Sequence, residues 1–189
     1  MSESDQYKDC KTLVLSEISS ALERVSDDDT EKLCRLLDEA EQIFFVGVGR
    51  VLLSLEAMAK RLSHLGYKTH IVGDINEPAI TEKDLLIVGS GSGSSLFPLA
   101  IAKKAHSLGV KVVHIGSNPR SEMANLTTLM VRIPVRTKLY LADEIPSDQP
   151  MTSLFEQSLL LFGDILALML IRRKKLDLKE LWRCHANLE

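Results

Sequence analysis

The sequence predicts an α/β protein: a five-stranded parallel sheet sandwiched by helices, with a helical hairpin at the N-terminal end. Three observations carry this. Short apolar runs, most of them closed by glycine, recur along the chain. Segments of helical periodicity separate most of them. The runs are apolar on both faces, as strands covered from both sides must be.

The elements follow in order. From residue 8, Leu13, Val14, Ile18, Ala21, Leu22 and Val25 fall at helical spacing. "SDDDTEKL" supplies capping residues for a second short helix, whose apolar face is Leu33, Leu36, Leu37 and Ala40. "QIFFVGVGR" reads as a strand and a glycine turn, "LLSLEAMAKRLSHLG" as a helix closed by Gly66. "KTHIVG" is a second strand and "DLLIVGSGS" a third. Residues 95–108 form a helix ending at Gly109, and "VKVVHIGSNP" is a fourth strand. A short helix near Ser121–Asn125 precedes a fifth strand, "TLMVRIPV". Residues 136–150 are the least regular stretch, of a length that functional loops often have. From Met151 the tail is helical.

The chain has 189 residues, 45% of them hydrophobic, enough for one domain with a good core. We divide it into N-terminal helices (1–40), a sheet core with its loops (41–135) and C-terminal helices (151–189). A net charge of −3 argues against a nucleic-acid binder. The one dense basic run, Arg172 to Lys175, follows a long apolar helix, whose negative end suits cations. Cys10, Cys34 and Cys184 make an odd count without a C-x-x-C, and the opening residues are polar, so free thiols in a reducing cytoplasm are expected. The most apolar segment, Ser158 to Ile171, is shorter than the roughly 20 residues a bilayer needs, and Asp164 interrupts it. It is expected to be a core or interface helix.

Two strand ends carry the chemistry. Gly47-Val48-Gly49-Arg50 begins like a dinucleotide fingerprint, but Leu52 stands where the third glycine belongs, so the helix should not pack as closely. A plain strand-to-helix turn would explain the glycines. Arg50 adds a guanidinium fork that can grip an anion. After the third strand come six residues that are only Ser and Gly, Ser90 to Ser95. Glycine lets the backbone approach, serine adds hydroxyl donors, and the next helix contributes the positive end of its dipole. That is a cradle for a phosphate. Pro98 suits a first helical turn, where N–H groups have no intrahelical partner. A flexible turn with one N-cap serine would account for one or two serines, not four. No lysine of a G-K-[ST] motif follows, so nucleoside triphosphate hydrolysis is not indicated.

These loops resemble the sugar isomerase (SIS) domain family, whose members have a flavodoxin-like five-stranded fold and bind phosphosugars. "QPMTSLFEQSLLLFGD" and the closing "HANLE" are similar to its 6-phospho-3-hexuloisomerase branch. The resemblance covers about residues 40–189. It implies interconversion of 3-hexulose 6-phosphate and fructose 6-phosphate, as in the ribulose monophosphate route, without metal or other cofactor. It implies a homotetramer with sites near subunit boundaries. It places phosphate on Ser90, Ser92, Ser94 and Ser95, with Gly47, Gly49 and Arg50 also binding substrate. It matches the family's glutamate to Glu156 and its C-terminal histidine to His185. The chain departs from the family at Val51, where a serine is usual, and Leu52 and Leu53 are bulkier than the residues often found there.

Moving a carbonyl between neighbouring carbons through an enediol needs a base, help with oxygen protons and anion stabilisation. Glu156, at the start of an apolar helix, is the base candidate, because partial desolvation strengthens a carboxylate as a base. A structural role at the helix N-terminus is the competing explanation. His185 is the candidate acid/base shuttle. The remaining histidines, His64, His70, His106 and His114, are read as structural or exposed. The alternative function is a phosphosugar sensor without turnover, or an isomerase of another sugar phosphate. A pure sensor has no need of a base at Glu156. A flavin or nucleotide binder fits poorly with 5% aromatic residues and the missing third glycine.

Overall fold

The structure, a computed structural model, describes residues 3–188, with side chains described from residue 5 onward. The outer ends of the expected segments, residues 1 and 189, lie outside the described residues. Two helices come first, α1 (Glu3–Leu22) and α2 (Asp27–Glu39). The core then alternates: β1 (Ile43–Val46), α3 (Arg50–His64), β2 (Thr69–Ile71), β3 (Leu85–Gly89), α4 (Leu96–Ser107), β4 (Lys111–Gly116) and β5 (Leu129–Arg132). A 3-10 turn, Glu122–Asn125, stands between β4 and β5. The chain closes with α5 (Ser153–Lys174) and a second 3-10 turn, Glu180–Cys184.

All four strand pairings are parallel, in the order β2-β1-β3-β4-β5. The pleat sorts the side chains. Ile43, Phe45, Leu85, Ile87, Val113 and Ile115 face a thick layer built from α1, α2, α3 and α5. Phe44, Val46, Leu86, Val88 and Val112 face a thinner layer around α4. The central strands β1 and β3 are therefore apolar on both faces because each face has a cover.

Local chemistry sets the helix ends. Ser26 caps α2, its hydroxyl accepting from the Asp29 N–H at 3.2 Å. Gly66 and Gly109 take positive φ just after α3 and α4. The two N-terminal helices are joined by a tight turn, yet α1 packs on α5 and α2 lies against β5.

One expectation is corrected. The apolar tail helix is not too short for a bilayer: α5 has 22 residues, and an 18-residue window within it has a mean hydropathy of 1.8, long and apolar enough to cross a membrane by length and composition. The extra length comes from Ser153–Glu156 and Gln157 at one end and Arg172–Lys174 at the other. More than half of its apolar window is buried among the other elements. Asp164 is exposed and pairs with Arg61 at 3.3 Å, so no charge is buried there. The basic run at its end also has partners: Arg173 meets Glu31 at 3.1 Å and Lys174 meets Asp38 at 2.7 Å, tying α5 to α2.

Candidate active site

The strand order reverses between β1 and β3: α3 carries the chain from β1 outward to β2, and α4 carries it from β3 outward to β4. A crevice at the carboxyl ends of such strands is where open α/β sheets hold ligands. The Gly47–Arg50 turn and the serine loop are the two turns that flank it.

Glycine makes the first turn possible. Gly49 has φ +58 and open space where a Cβ would be, so only its backbone conformation demands glycine. At Gly47 a Cβ would lie 3.1 Å from Leu55 and 3.2 Å from the Leu52 nitrogen. At Gly89 it would lie 2.8 Å from Leu55 and 2.9 Å from Val51. Helix α3 thus packs closely although Leu52 replaces a glycine, because the missing Cβ atoms are on the strand side. Val51 is half-buried against the core, lying over Gly89. Leu52 is half-buried and Leu53 exposed.

The serine loop is folded by its own hydroxyls. Ser90 and Ser95 hydroxyls lie 3.2 Å apart, those of Ser92 and Ser94 3.0 Å apart. Ser95 precedes α4 but makes no capping bond with its side chain, so its hydroxyl is directed to the loop. Ser90 and Ser92 are buried, Ser95 half-buried and Ser94 exposed. Loop carbonyls are tied back toward β4: Gly91 O accepts from the N–H groups of Ser117 (2.9 Å) and Asn118 (3.1 Å), and Ser92 O accepts from Asn118 Nδ2 (3.3 Å). The loop runs directly into the N-terminal turn of α4, whose first N–H groups lack intrahelical acceptors. That combination has the donor chemistry an anion requires.

Glu156 sits in the first turn of α5 with its side chain only 9% exposed. One carboxylate oxygen accepts from Arg50 Nε in an ion pair, and the other accepts from the Thr152 hydroxyl at 2.8 Å. Ser54, one turn beyond Arg50, donates to the Glu156 carbonyl at 2.8 Å. Phe155, the preceding residue, lies against Gly91, as does Thr137. The sequence-predicted Gly47, Gly49, Arg50, Ser90, Ser92, Ser94, Ser95 and Glu156 are therefore gathered along one edge of the sheet.

His185 is not gathered there. Its ring stacks 5.2 Å from those of His64 and Trp182. They border a cavity of about 390 Å³ that Asp164, Ala167, Leu168 and Ile171 of α5 also line. Ala167 lies eleven residues beyond Glu156, about 16 Å along the helix at 1.5 Å per residue. Three polar neighbours were missed by sequence reasoning. Ser54 stands at i+4 from Arg50 and Thr152 at i−4 from Glu156, spacings that could have found them. Thr137 had no such signal. Its N–H and hydroxyl donate to Glu144 at 3.0 and 2.8 Å, and Ser117 donates to the same carboxylate at 3.1 Å, folding the irregular segment onto the site. Among the described residues no cluster of three or more His, Cys, Asp or Glu has metal-binding geometry.

The SIS domain family profile matches residues 36–163. The chain belongs to the SIS domain family. A Bacillus subtilis protein named 3-hexulose-6-phosphate isomerase is 38% identical over 176 residues, 93% of this chain and 95% of that one. A Methylomonas aminofaciens protein of the same name is 36% identical, over 94% of this chain and 97% of its own. A Methanococcus jannaschii crystal structure, with an inferred function of 3-hexulose-6-phosphate isomerase, superposes with a TM-score of 0.82 at 29% identity. The superposition covers 96% of this SIS chain and 99% of that chain.

Proposed function

We propose that this SIS protein is an isomerase interconverting 3-hexulose 6-phosphate and fructose 6-phosphate through an enediol. The observation that carries this is the placement of a buried, hydrogen-bonded carboxylate, Glu156, on the edge of the sheet that also holds the serine cradle. A phosphate in the cradle fixes one end of the sugar. The C2–C3 carbons then fall to Glu156. From fructose 6-phosphate, Glu156 removes the C3 proton as the C2 carbonyl becomes the enediol oxygen. The C2 oxygen takes up a proton to complete the enediol; Glu156 then returns its proton to C2 as the C3 hydroxyl gives up its own, leaving the C3 carbonyl of the 3-ketose, so that one carbon proton and one oxygen proton have each changed places. Arg50 orients the carboxylate, and its guanidinium, 65% exposed, also faces arriving anion. The names and the inferred function of the relatives support the hexulose substrate.

His185 keeps its proposed acid/base role only if a second copy of the chain delivers it to the crevice. The oligomer is part of the same proposal. Leu161, Ile165 and Leu168 form an exposed apolar stripe on α5, with Leu53 exposed on the adjoining α3. We assign this face to subunit contact in a homotetramer. Three unpaired thiols support a reducing cytoplasm as its setting.

Incubation with fructose 6-phosphate in heavy water tests the chemistry. Deuterium entering at C3, new 3-ketose signals, and loss of both in E156Q are expected. Binding of the sugar phosphate with no exchange in the wild type would make the chain a sensor instead. Removal of residues 184–189 tests His185; unchanged turnover would eliminate it. Sedimentation as a monomer would remove the shared site.

A further inference from the structure

The fourth strand contains a side chain that its pattern does not call for. His114 is fully buried on the α4 face of β4, between Val88 of β3 and Met130 of β5 in register. Its register partners, Val88 and Met130, are apolar, as is the cluster on that face. An imidazole buried among them costs free energy unless it is hydrogen-bonded. It has one such bond: Nε2 lies 2.8 Å from the backbone carbonyl oxygen of Ser90.

We propose that His114 is the positioning residue of the serine loop, its Nε2–H holding the Ser90 carbonyl and so setting where the loop presents its hydroxyls. The proposal rests on the reading of that loop as the phosphate cradle.

Four observations support it. The acceptor is a carbonyl, so Nε2 must carry the proton, which fixes the tautomer. Burial holds the imidazole below its ordinary titration range, against the opposing pull of the Ser90 bond, and the ring stays neutral. Nδ1 is then a bare acceptor, and it has no partner. The backbone is also cut to fit the ring. A Cβ at Gly116 would sit 2.3 Å from Nε2 and 2.5 Å from the Ser90 oxygen, inside the hydrogen bond itself. A Cβ at Gly93 would sit 3.2 Å from the ring's Cε1. Two glycines therefore form the slot that lets the imidazole reach the loop.

The bond also falls at an informative place. Three successive loop carbonyls, Ser90, Gly91 and Ser92, are each held by a donor from β4 or the residues just after it. His114 supplies the first, and the only one from within the strand. Fixing these carbonyls on one side turns the hydroxyl face of the loop to the other. His114 touches no substrate on this account; it acts through Ser90.

The test compares wild type, H114L, H114Q and S92A by calorimetric titration with inorganic phosphate and with fructose 6-phosphate, alongside steady-state kinetics. Leucine fills the slot without a donor. Glutamine places an amide N–H near the position of Nε2. H114L, folded by circular dichroism, is expected to bind phosphate roughly tenfold more weakly (about 1.4 kcal/mol), with KM raised similarly and kcat changed less. H114Q is expected to recover most of that loss. Nitrogen NMR of the wild type is expected to show the Nε2–H tautomer. Wild-type phosphate affinity in folded H114L, no recovery in H114Q, or an Nδ1–H tautomer would each overturn the role. If H114L does not fold, H114Q decides, since a folded H114Q as weak as tenfold below wild type rejects it. Unchanged phosphate affinity in S92A would reject the cradle itself and His114's role with it. Weakening in S92A but not in H114L would reject His114 alone.

Discussion

The turn after β1 and the loop after β3 lie side by side at the sheet edge, and both depend on glycine, yet for different reasons. Gly49 needs only its positive φ, since a Cβ there would meet nothing within 4 Å. Gly93 needs both its φ of +66 and empty space, because a Cβ would lie 2.1 Å from the Ser121 hydroxyl. The first turn serves to launch one charged side chain, Arg50, across to Glu156. The second is a packed neutral surface of hydroxyls held from below by β4. In the first turn the charge sits on one ion-paired side chain; in the second the polar groups are neutral hydroxyls and backbone. On the proposed function, the first turn would serve the proton transfer and the second the phosphate.

The largest effect expected is in E156Q. Losing a positioned base lowers kcat by roughly 10² to 10⁴, while the melting temperature changes little, because the amide oxygen still accepts from Thr152. Retained turnover would break the division between charged and neutral halves. G93A comes next. The clash with Ser121 and the left-handed backbone together should cost roughly 1–3 kcal/mol of stability, and phosphate affinity should fall tenfold or more in calorimetry. R50A should raise KM about tenfold, the order lost when a charge-assisted hydrogen bond goes, leaving phosphate binding in the serine loop nearly intact. G49A sharpens the contrast with Gly93: about 1 kcal/mol of stability from backbone strain alone, read by thermal melting, with substrate affinity little changed.

The smallest effect concerns Glu17 on α1. Burial pushes its carboxyl upward, but bonds from the Ser147 hydroxyl, the Asp148 N–H and the Gln149 amide outweigh that and hold it below its ordinary value of 4.5. A lowered carboxylate contributes stability that is present above its unfolded value and is lost as pH falls through the folded one. Melting temperature should therefore drop more steeply below about pH 4.5 in wild type than in E17Q. Parallel curves would show that this tether does not help hold the lead-in to α5.

The sheet was legible in the sequence because most strands are short apolar runs closed by glycine, as at Leu85–Gly89. The serine loop was legible because nothing else explains four hydroxyls after a buried strand. Helix α5 was measured short because Ser153, Glu156 and Gln157 interrupt the apolar count while hydrogen bonding keeps the backbone helical. His114 was passed over because a histidine in a strand gives no periodic signal; its meaning lies in Ser90, 24 residues away and adjacent only after β3 and β4 pair. His185 was placed by its motif, and the motif carries no information about which copy of the chain it serves. Val51, where the family usually has serine, places its side chain over Gly89, a packing role that the sequence alone does not show.

The Glu17 tether also has a consequence in time. Its oxygens bond residues 130 to 132 positions further along the chain, and α1 rests on α5. On a ribosome adding roughly 5 to 20 residues per second, α1 emerges well before its partners, by roughly 7 to 26 s. Through that interval Val14, Ile18 and Ala21 have no α5 to cover them. A helix made well before its partners is thus among the last to dock, and α1 and α5 can close on each other only once α5 has been made.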